Sequence, residues 1–125
     1  MRITRELQAV VESIQEKKGE EIRILNLQNL TSFTDYFVIC TGESEPQIKA
    51  ISKNVEEKMS KMGLKPDHVE GRFENGWVLM DYDDFIVHIF SPEKRSYYDI
   101  ERLWADAPRL DASAPFNVMA SAANS

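Results

Sequence analysis

Three aspartates stand close together in the stretch WVLMDYDDFIVHIF, which spans residues 77–90. Asp81, Asp83 and Asp84 lie between two apolar runs, and carboxylates beside an apolar strand are typical of sites where a metal ion assists phosphoryl or nucleotidyl transfer. The same residues are typical of a tight turn, because aspartate bonds its own backbone and tolerates left-handed angles. The pattern therefore allows a Mg²⁺-dependent site or a hairpin turn.

A two-metal site also needs groups that hold the phosphates, and these are hard to find in this sequence. The glycine–serine candidate is TGES at residues 41–44, and no Gly-x-x-x-x-Gly-Lys loop is present. Ser44 and Gln47 have the spacing of a helix capping box instead. We therefore favour the turn and expect no catalytic residues. A nucleotidyltransferase that uses Asp81, Asp83 and Asp84 is the alternative.

The two histidines and the one cysteine do not suggest a metal centre. His68 and His88 are too few and too far apart in sequence for a zinc site. Cys40 lies in the apolar run YFVIC and is predicted to be an inert core residue. We expect no metal and no cofactor. His88 alternates with Val87 and Ile89, so its ring is predicted to lie on the other face of a strand.

The second half of the chain is crowded with aromatic residues, more than a small core needs. Alternation along the two predicted strands leaves no face polar throughout, and such a sheet is covered twice or uses one face for binding. Alternation would present Tyr82, His88 and Phe90, or alternatively Trp77 and Asp81, on a common face. We predict a partner-binding surface made of aromatics and nearby acids: Trp77, Asp81, Tyr82, Asp83, Asp84, His88 and Phe90.

The apolar spacing predicts the elements that position these residues, in the order helix, two strands, helix, three strands, helix. The first helix buries Ile3, Leu7, Val10, Val11 and Ile14, and the second buries Ile48, Ile51, Val55, Met59 and Met62. We predict an α/β (α+β) fold, a mixed sheet of about five strands with helices packed on it. The strands that flank the second helix should run parallel.

The last helix is predicted to begin at Ser96, as its cap, and to turn Tyr97, Ile100, Leu103 and Trp104 inward. Residues 109–125 are rich in Ala, Ser and Asn. We predict that residues 1–108 form a single domain and that 109–125 form a mobile C-terminal tail.

Composition limits the classes of partner. The chain has 125 residues, a net charge of −6 and one cysteine. The acidic charge disfavours direct, sequence-specific nucleic-acid binding and favours a basic partner. No apolar run approaches the roughly 20 residues that span a bilayer. The first residues lack the apolar core of a signal peptide and carry acids that transit peptides avoid, so we expect a cytoplasmic protein without membrane contact.

Several stretches, taken together, resemble one known family. They are TSFTDYFVICTGES, QIKAI, EG, WVLMDYDDFIVHIF, RSYYDIERLW and DAP, in this order between Leu7 and Pro108. The same motifs in the same order are found in the ribosomal silencing factor family, RsfS, also called Iojap-like. That family often has glycine where this chain has Asp83, and aspartate can adopt the same backbone angles.

The resemblance implies a fold and a function. The family is similar to nucleotidyltransferases in fold but lacks their chemistry, so it implies a nucleotidyltransferase-like fold without enzymatic activity. Its members bind the large ribosomal subunit through ribosomal protein uL14 and sterically block the joining of the two subunits, which represses translation under nutrient limitation. Relatives are often homodimers when free, which implies a possible homodimer here.

Overall fold

The structure, a computed structural model, describes residues 2–111, and the side chains of residues 5–109. The four helices are α1 (Arg2–Glu16), α2 (Glu45–Lys61), α3 (Pro92–Tyr98) and α4 (Ile100–Leu103). The strands are β1 (Glu20–Asn26), β2 (Tyr36–Thr41), β3 (His68–Arg72), β4 (Trp77–Asp81), β5 (Phe85–Phe90) and β6 (Arg109–Asp111). None of the described helices is both long enough and apolar enough to cross a membrane.

The six strands form one mixed sheet in the order β3-β4-β5-β2-β1-β6. β2 and β5 pair in parallel at its centre, and the other neighbouring pairs are antiparallel. The predicted mixed α+β sheet is confirmed. The strands that flank α2 do run in the same direction, as predicted, but β5 and β4 lie between β2 and β3.

The sheet continues past the predicted domain boundary at Pro108 by one short strand. Arg109–Asp111 form β6, which pairs with Arg23, Ile24 and Leu25 of β1 and brings the sheet to six strands. Three residues are too few to show a period in sequence, so the pairing was not predictable from pattern. The rest of the predicted mobile tail, residues 112–125, lies outside the described residues.

Helices α1 and α2 cover one face of the sheet, which we call the helix face. Ser44 begins α2 as predicted, because its hydroxyl accepts a hydrogen bond from the Gln47 N–H at 3.2 Å. Both helices bury most of the apolar residues predicted from their periodicity: Leu7, Val10, Val11 and Ile14 of α1 and Ile48, Ile51, Val55 and Met59 of α2. Met62, predicted to be buried, is the C-cap of α2 and is only partly buried, and the side chain of Ile3 lies outside the described ones. The two helices pack on strand residues of which Val38, Cys40, Val87 and Ile89 are fully buried.

The short helices α3 and α4 lie against the opposite side of the sheet, which we call the open face. The prediction that Ser96 caps this region is wrong: Ser91 is the cap, and its hydroxyl accepts from the Lys94 N–H at 3.2 Å. Asp99 adopts a left-handed φ of 48° and separates the two helices, so one helical period does not run through both. Tyr97 and Leu103 consequently point outward, 77% and 75% exposed, although both were predicted to be inward.

Candidate protein-binding face

Strand pairing determines which residues share the open face. Trp77, Leu79 and Asp81 of β4 stand directly opposite Phe90, His88 and Ile86 of β5. Directly opposed residues of an antiparallel pair project to the same side, so all six lie on this face. On the other flank of β4, the exposed residues Arg72, Glu70 and His68 of β3 are paired with the same three positions.

Cover on the open face is uneven. Ile100, Trp104 and Ala107, from α4 and the segment after it, pack against Leu25, Leu27, Phe37 and Ile39 on the side of β1 and β2. On the β4 side, Tyr98 at the end of α3 packs against Trp77, and Trp77 and Leu79 remain only partly buried. Trp77 and Leu79 of β4 therefore stand partly exposed on this face, with charged residues of β3 beside them.

A continuous row of rings crosses the open face, and we call it the aromatic band. Phe33 contacts Trp104 at 6.0 Å between ring centroids, Trp104 contacts Phe37 at 6.1 Å, and Phe37 contacts His88 at 4.6 Å. From His88 the row continues through Trp77 and Phe90 to Tyr98. The members of the band are Phe33, Phe37, Trp77, His88, Phe90, Tyr98 and Trp104.

Trp77 is partly accessible and contacts three other rings of the band. It stacks on Phe90 at 5.9 Å with 7° between the ring planes, and Tyr98 packs against it at 5.0 Å. Its indole Nε1–H donates a hydrogen bond to Nδ1 of His88 at 3.3 Å. Large, half-buried aromatic side chains held in this way are typical of interface anchors.

His88 lies beneath the surface of the band rather than on it. Its side chain is 4% exposed, and its Nε2 atom has no hydrogen-bond partner among the described residues. Burial lowers the pKa of the imidazole to about 4, so the ring is neutral at neutral pH. An unpaired buried polar group costs about 1–3 kcal/mol, so this histidine is not explained by stability alone.

Tyr82 does not share a face with His88 and Phe90, and the prediction that grouped them is wrong. Its ring packs in the core under α1 and α2, is 7% exposed and stacks on Phe85 at 5.0 Å. Burial raises the pKa of its hydroxyl to about 12. Phe90 is fully buried as well. His88 and Phe90 therefore support the open face from beneath, and Tyr82 is not part of it.

The three aspartates form the predicted turn. Asp81 ends β4, and its Oδ1 accepts from the Asp83 N–H at 2.8 Å. Asp83 takes a left-handed φ of 73°, and its carbonyl accepts from the Thr34 hydroxyl at 2.8 Å. Asp84 follows, exposed, just before β5 begins. The carboxylate of Asp81 therefore has a local structural role, which a turn requires and a metal site does not.

The aspartates and the TGES segment lie at opposite ends of the same strands. The parallel pair of β2 and β5 begins where Tyr36 meets Phe85, beside the turn, and ends where Thr41 meets Phe90, beside Gly42. Five residue steps at about 3.3 Å separate these ends by roughly 16 Å. Across the described side chains, no group of three His, Cys, Asp or Glu residues is arranged to hold a metal ion.

The TGES end opens into a cleft of about 650 Å³ that is rich in carboxylates, including Glu20, Glu21, Glu43 and Glu101. The Arg95 guanidinium in this cleft already binds the Glu101 carboxylate through two hydrogen bonds of 2.9 and 3.1 Å. A hydrogen bond with Glu20 raises the pKa of Glu43. A cleft with this charge repels phosphate groups and does not suit a nucleoside triphosphate.

Sequence reasoning left open whether His88 and Phe90 or Trp77 and Asp81 form this face, and the structure brings the four together. Three further residues of this face were not among the predicted site residues. Phe33, 52% exposed, extends the band from the loop before β2, and Phe37 and Leu79 complete its centre. A phenylalanine in the polar run TSFTD was the available signal for Phe33, because an apolar ring in a loop needs a packing partner or a binding role.

Comparison with known proteins gives one consistent result. A family model described as "Ribosomal silencing factor during starvation" matches residues 1–125. The chain is similar to proteins named ribosomal silencing factor RsfS from Halalkalibacterium halodurans, 36% identical over 84% of this chain and 90% of the relative, and from Bacillus subtilis, 37% identical over 82% and 86%.

A crystal structure of a protein from Chromobacterium violaceum superposes with a TM-score of 0.80 at 35% identity, covering 84% of this chain and 88% of that one. Fold, motif order and family match therefore agree, and the chain belongs to the ribosomal silencing factor family.

Proposed function

We propose that this protein binds the large ribosomal subunit through ribosomal protein uL14 and prevents the small subunit from joining. Binding to uL14 would repress translation when nutrients are limiting. The protein would act in the cytoplasm and without catalysis. The family description and the names of the relatives, which refer to ribosomal silencing, support the regulatory role. The observation that carries the contact surface is the aromatic band, with Trp77 and Leu79 still accessible at its centre.

The band fits a protein partner better than a small molecule or a nucleic acid. Its centre is aromatic, and the charged residues Glu70, Arg72 and Asp81 stand around it, which is the usual arrangement of an interface core and rim. A small-molecule site would be concave, whereas this surface is the face of a sheet. A protein surface is the occupant with the matching shape and chemistry.

Charge supports a basic partner. The chain carries a net charge of −6, and the exposed carboxylates of Asp83 and Asp84 lie at the tip of the β4–β5 turn. Opposite charge raises the association rate more than it extends the lifetime of a complex. Ribosomal proteins are typically basic, so uL14 would be attracted to this end of the open face.

The proposed contacts follow from exposure. Trp77, Leu79 and Asp81 would touch the partner directly, and Asp83 and Asp84 would act at the rim. His88 and Phe90 would hold these contacts in place from beneath, since both are buried. Tyr82 would contribute only through the stability of the fold.

Co-sedimentation with purified large subunits tests the proposal. We expect the protein to pellet with large subunits alone, to reduce the yield of joined ribosomes when small subunits are added afterwards, and to bind isolated uL14. The variant Glu57→Gln, at an exposed position of α2 on the helix side, serves as a matched control. Absence of binding to large subunits, or binding that leaves subunit joining unchanged, would contradict the proposal.

The free protein would cover the same surface with a second copy. An accessible aromatic band favours self-association, and two-fold homodimers are the commonest solution. A dimer formed through the open face would have to separate before ribosome binding. Sedimentation equilibrium should show a dimer for the wild type and a monomer for Trp77→Ala, and a wild-type monomer at high concentration would contradict this part of the proposal.

A further inference from the structure

We propose that His88 is a positioning residue, whose Nδ1 atom accepts the indole N–H of Trp77 and holds that ring in the orientation needed for partner contact. The inference rests on the proposed function, because it assigns Trp77 a direct contact on the open face. It concerns a side chain that a partner would not touch, since His88 is 4% exposed.

The geometry is specific to one tautomer. The two ring planes are nearly parallel, with 5° between them and 6.2 Å between the centroids, and the Nε1 to Nδ1 distance is 3.3 Å. An indole N–H can only donate, so Nδ1 must be the unprotonated acceptor. The imidazole proton must then be on Nε2, where the described part of the chain supplies no acceptor.

Packing alone does not account for a histidine at this position. Its ring neighbours are Phe37 at 4.6 Å, Phe90 at 5.8 Å and Trp77. A phenylalanine would suit these contacts and would avoid the unpaired Nε2–H. What histidine adds, and phenylalanine cannot, is an acceptor for Trp77.

The His88 acceptor would restrict the orientation of the accessible Trp77 ring. Trp77 is partly exposed, so without this hydrogen bond its indole would have to lose rotational freedom on binding. A side chain already fixed in its bound orientation avoids that cost, which increases affinity without a new contact. The hydrogen bond also fixes which edge of the indole faces outward.

Two substitutions separate the acceptor from the ring. His88→Phe keeps an aromatic ring and removes the acceptor, whereas His88→Asn keeps an acceptor oxygen near the position of Nδ1. The first readout is independent of the ribosome: hydrogen exchange of the Trp77 indole N–H, followed by ¹⁵N NMR. We expect slow exchange in the wild type and in His88→Asn, and clearly faster exchange in His88→Phe.

The second readout is affinity for purified large subunits. We expect His88→Phe to bind roughly 3- to 10-fold more weakly, the range that corresponds to ordering one side chain, while its melting temperature is equal to or above that of the wild type. His88→Asn should recover most of the affinity. In a Trp77→Phe background, which lacks the indole donor, His88→Phe should cause no further loss.

Several results would overturn the positioning role. These are an unchanged indole exchange rate in His88→Phe, unchanged affinity in that variant while Trp77→Ala loses binding, or equal losses for the Phe and Asn variants. If His88→Phe does not fold, the imidazole ¹⁵N shifts of the wild type decide, because a proton on Nδ1 would exclude the proposed bond. If Trp77→Ala binds like the wild type, the proposed contact face is wrong, and the exchange data still report whether His88 holds Trp77.

Discussion

The two faces of the sheet are both apolar at their centres, yet they differ in how completely they are covered. On the helix face, α1 and α2 leave Val38, Cys40, Val87 and Ile89 with no exposure. On the open face, Trp77 and Leu79 stay partly exposed beside the buried Phe90. Apolar alternation therefore identifies two hydrophobic faces, and only the position of the helices distinguishes the covered face from the partly exposed one.

The chemistry of the two faces differs as well. The helix face is built largely from aliphatic side chains, which fill space without demanding partners. The open face is aromatic, and two of its rings, Trp77 and His88, are joined by a hydrogen bond. Aromatic rings with a polar edge suit a surface that is covered at some times and wet at others. The effect of a substitution should therefore depend on which face the residue occupies.

The largest effect is expected on the helix face. Tyr82→Ala removes a buried ring that stacks on Phe85 and should lower the free energy of unfolding by about 3–5 kcal/mol. Tyr82→Phe should be neutral or slightly stabilising, because the hydroxyl has no partner in the described structure. Urea unfolding measures both. Weaker large-subunit binding by a fully folded Tyr82→Phe would place Tyr82 in the interface after all.

Acid should weaken the open face through His88. Its pKa in the folded chain is about 4, below the ordinary value of 6.5, so the unfolded chain takes up the proton first as the pH falls. This contribution to stability is complete above about pH 6.5 and is lost progressively down to pH 4, by about 3 kcal/mol in total.

Unfolding free energies of wild type and His88→Phe, measured across that range, test the pH dependence of His88. The wild type should lose more stability than the variant, since the carboxylates titrate alike in both. If the unfolding free energies of the two proteins fall in parallel with pH, the pKa of His88 is not lowered by its burial.

A smaller effect, about 2 kcal/mol or more in large-subunit affinity, is expected for Trp77→Ala if Trp77 is an interface anchor. That value corresponds to a decrease of roughly 30-fold in affinity. Binding titrations with Glu57→Gln as the control measure it, and circular dichroism verifies the fold. Retained affinity in a folded Trp77→Ala would move the interface off the aromatic band, and the exposed side of α2 would be examined next.

The smallest effect is expected at the tip of the turn. Asp83→Asn keeps a residue that tolerates the left-handed φ of 73°, so the fold should be unchanged. Loss of one rim charge should lower the association rate and flatten its salt dependence, at a cost below about 1 kcal/mol. Stopped-flow kinetics at two salt concentrations test this. A loss as large as that of Trp77→Ala would mean that Asp83 is buried in the complex.

Local signals were reliable where the chain decides its structure within a few residues. Ser44 and Gln47 make the predicted cap, and the DYDD stretch makes the predicted turn. The prediction of a helix cap at Ser96 was wrong because Ser91, followed by Pro92, is a competing cap. Which serine caps the helix depends on where the chain leaves β5. The three-residue strand β6 was not predicted because its pairing with β1 is long-range and leaves no local pattern.

The position of Tyr82 on the helix face shows that alternation within a strand does not determine which face of the sheet a residue occupies. Alternation correctly grouped the residues that share a side within β4 and within β5. Which side of β4 faces the same way as a given side of β5 depends on the pairing register across the turn. The register places Asp81 opposite Ile86, and Tyr82 then falls on the helix face with Phe85. A loop one residue longer or shorter would reverse the match, because side chains alternate with a period of two.

By itself, the sequence determined the order of the elements from α1 to β5, the apolar stripes of α1 and α2, the aspartate turn and the membership of the family, because each depends on local spacing or on motif order. Only the tertiary structure decided which face the helices cover, which aromatic residues meet in one band and how far TGES lies from the aspartates. These properties depend on contacts between segments far apart in the chain, such as Trp77 with Tyr98 and Phe37 with Trp104. Periodicity within one segment contains no information about such contacts.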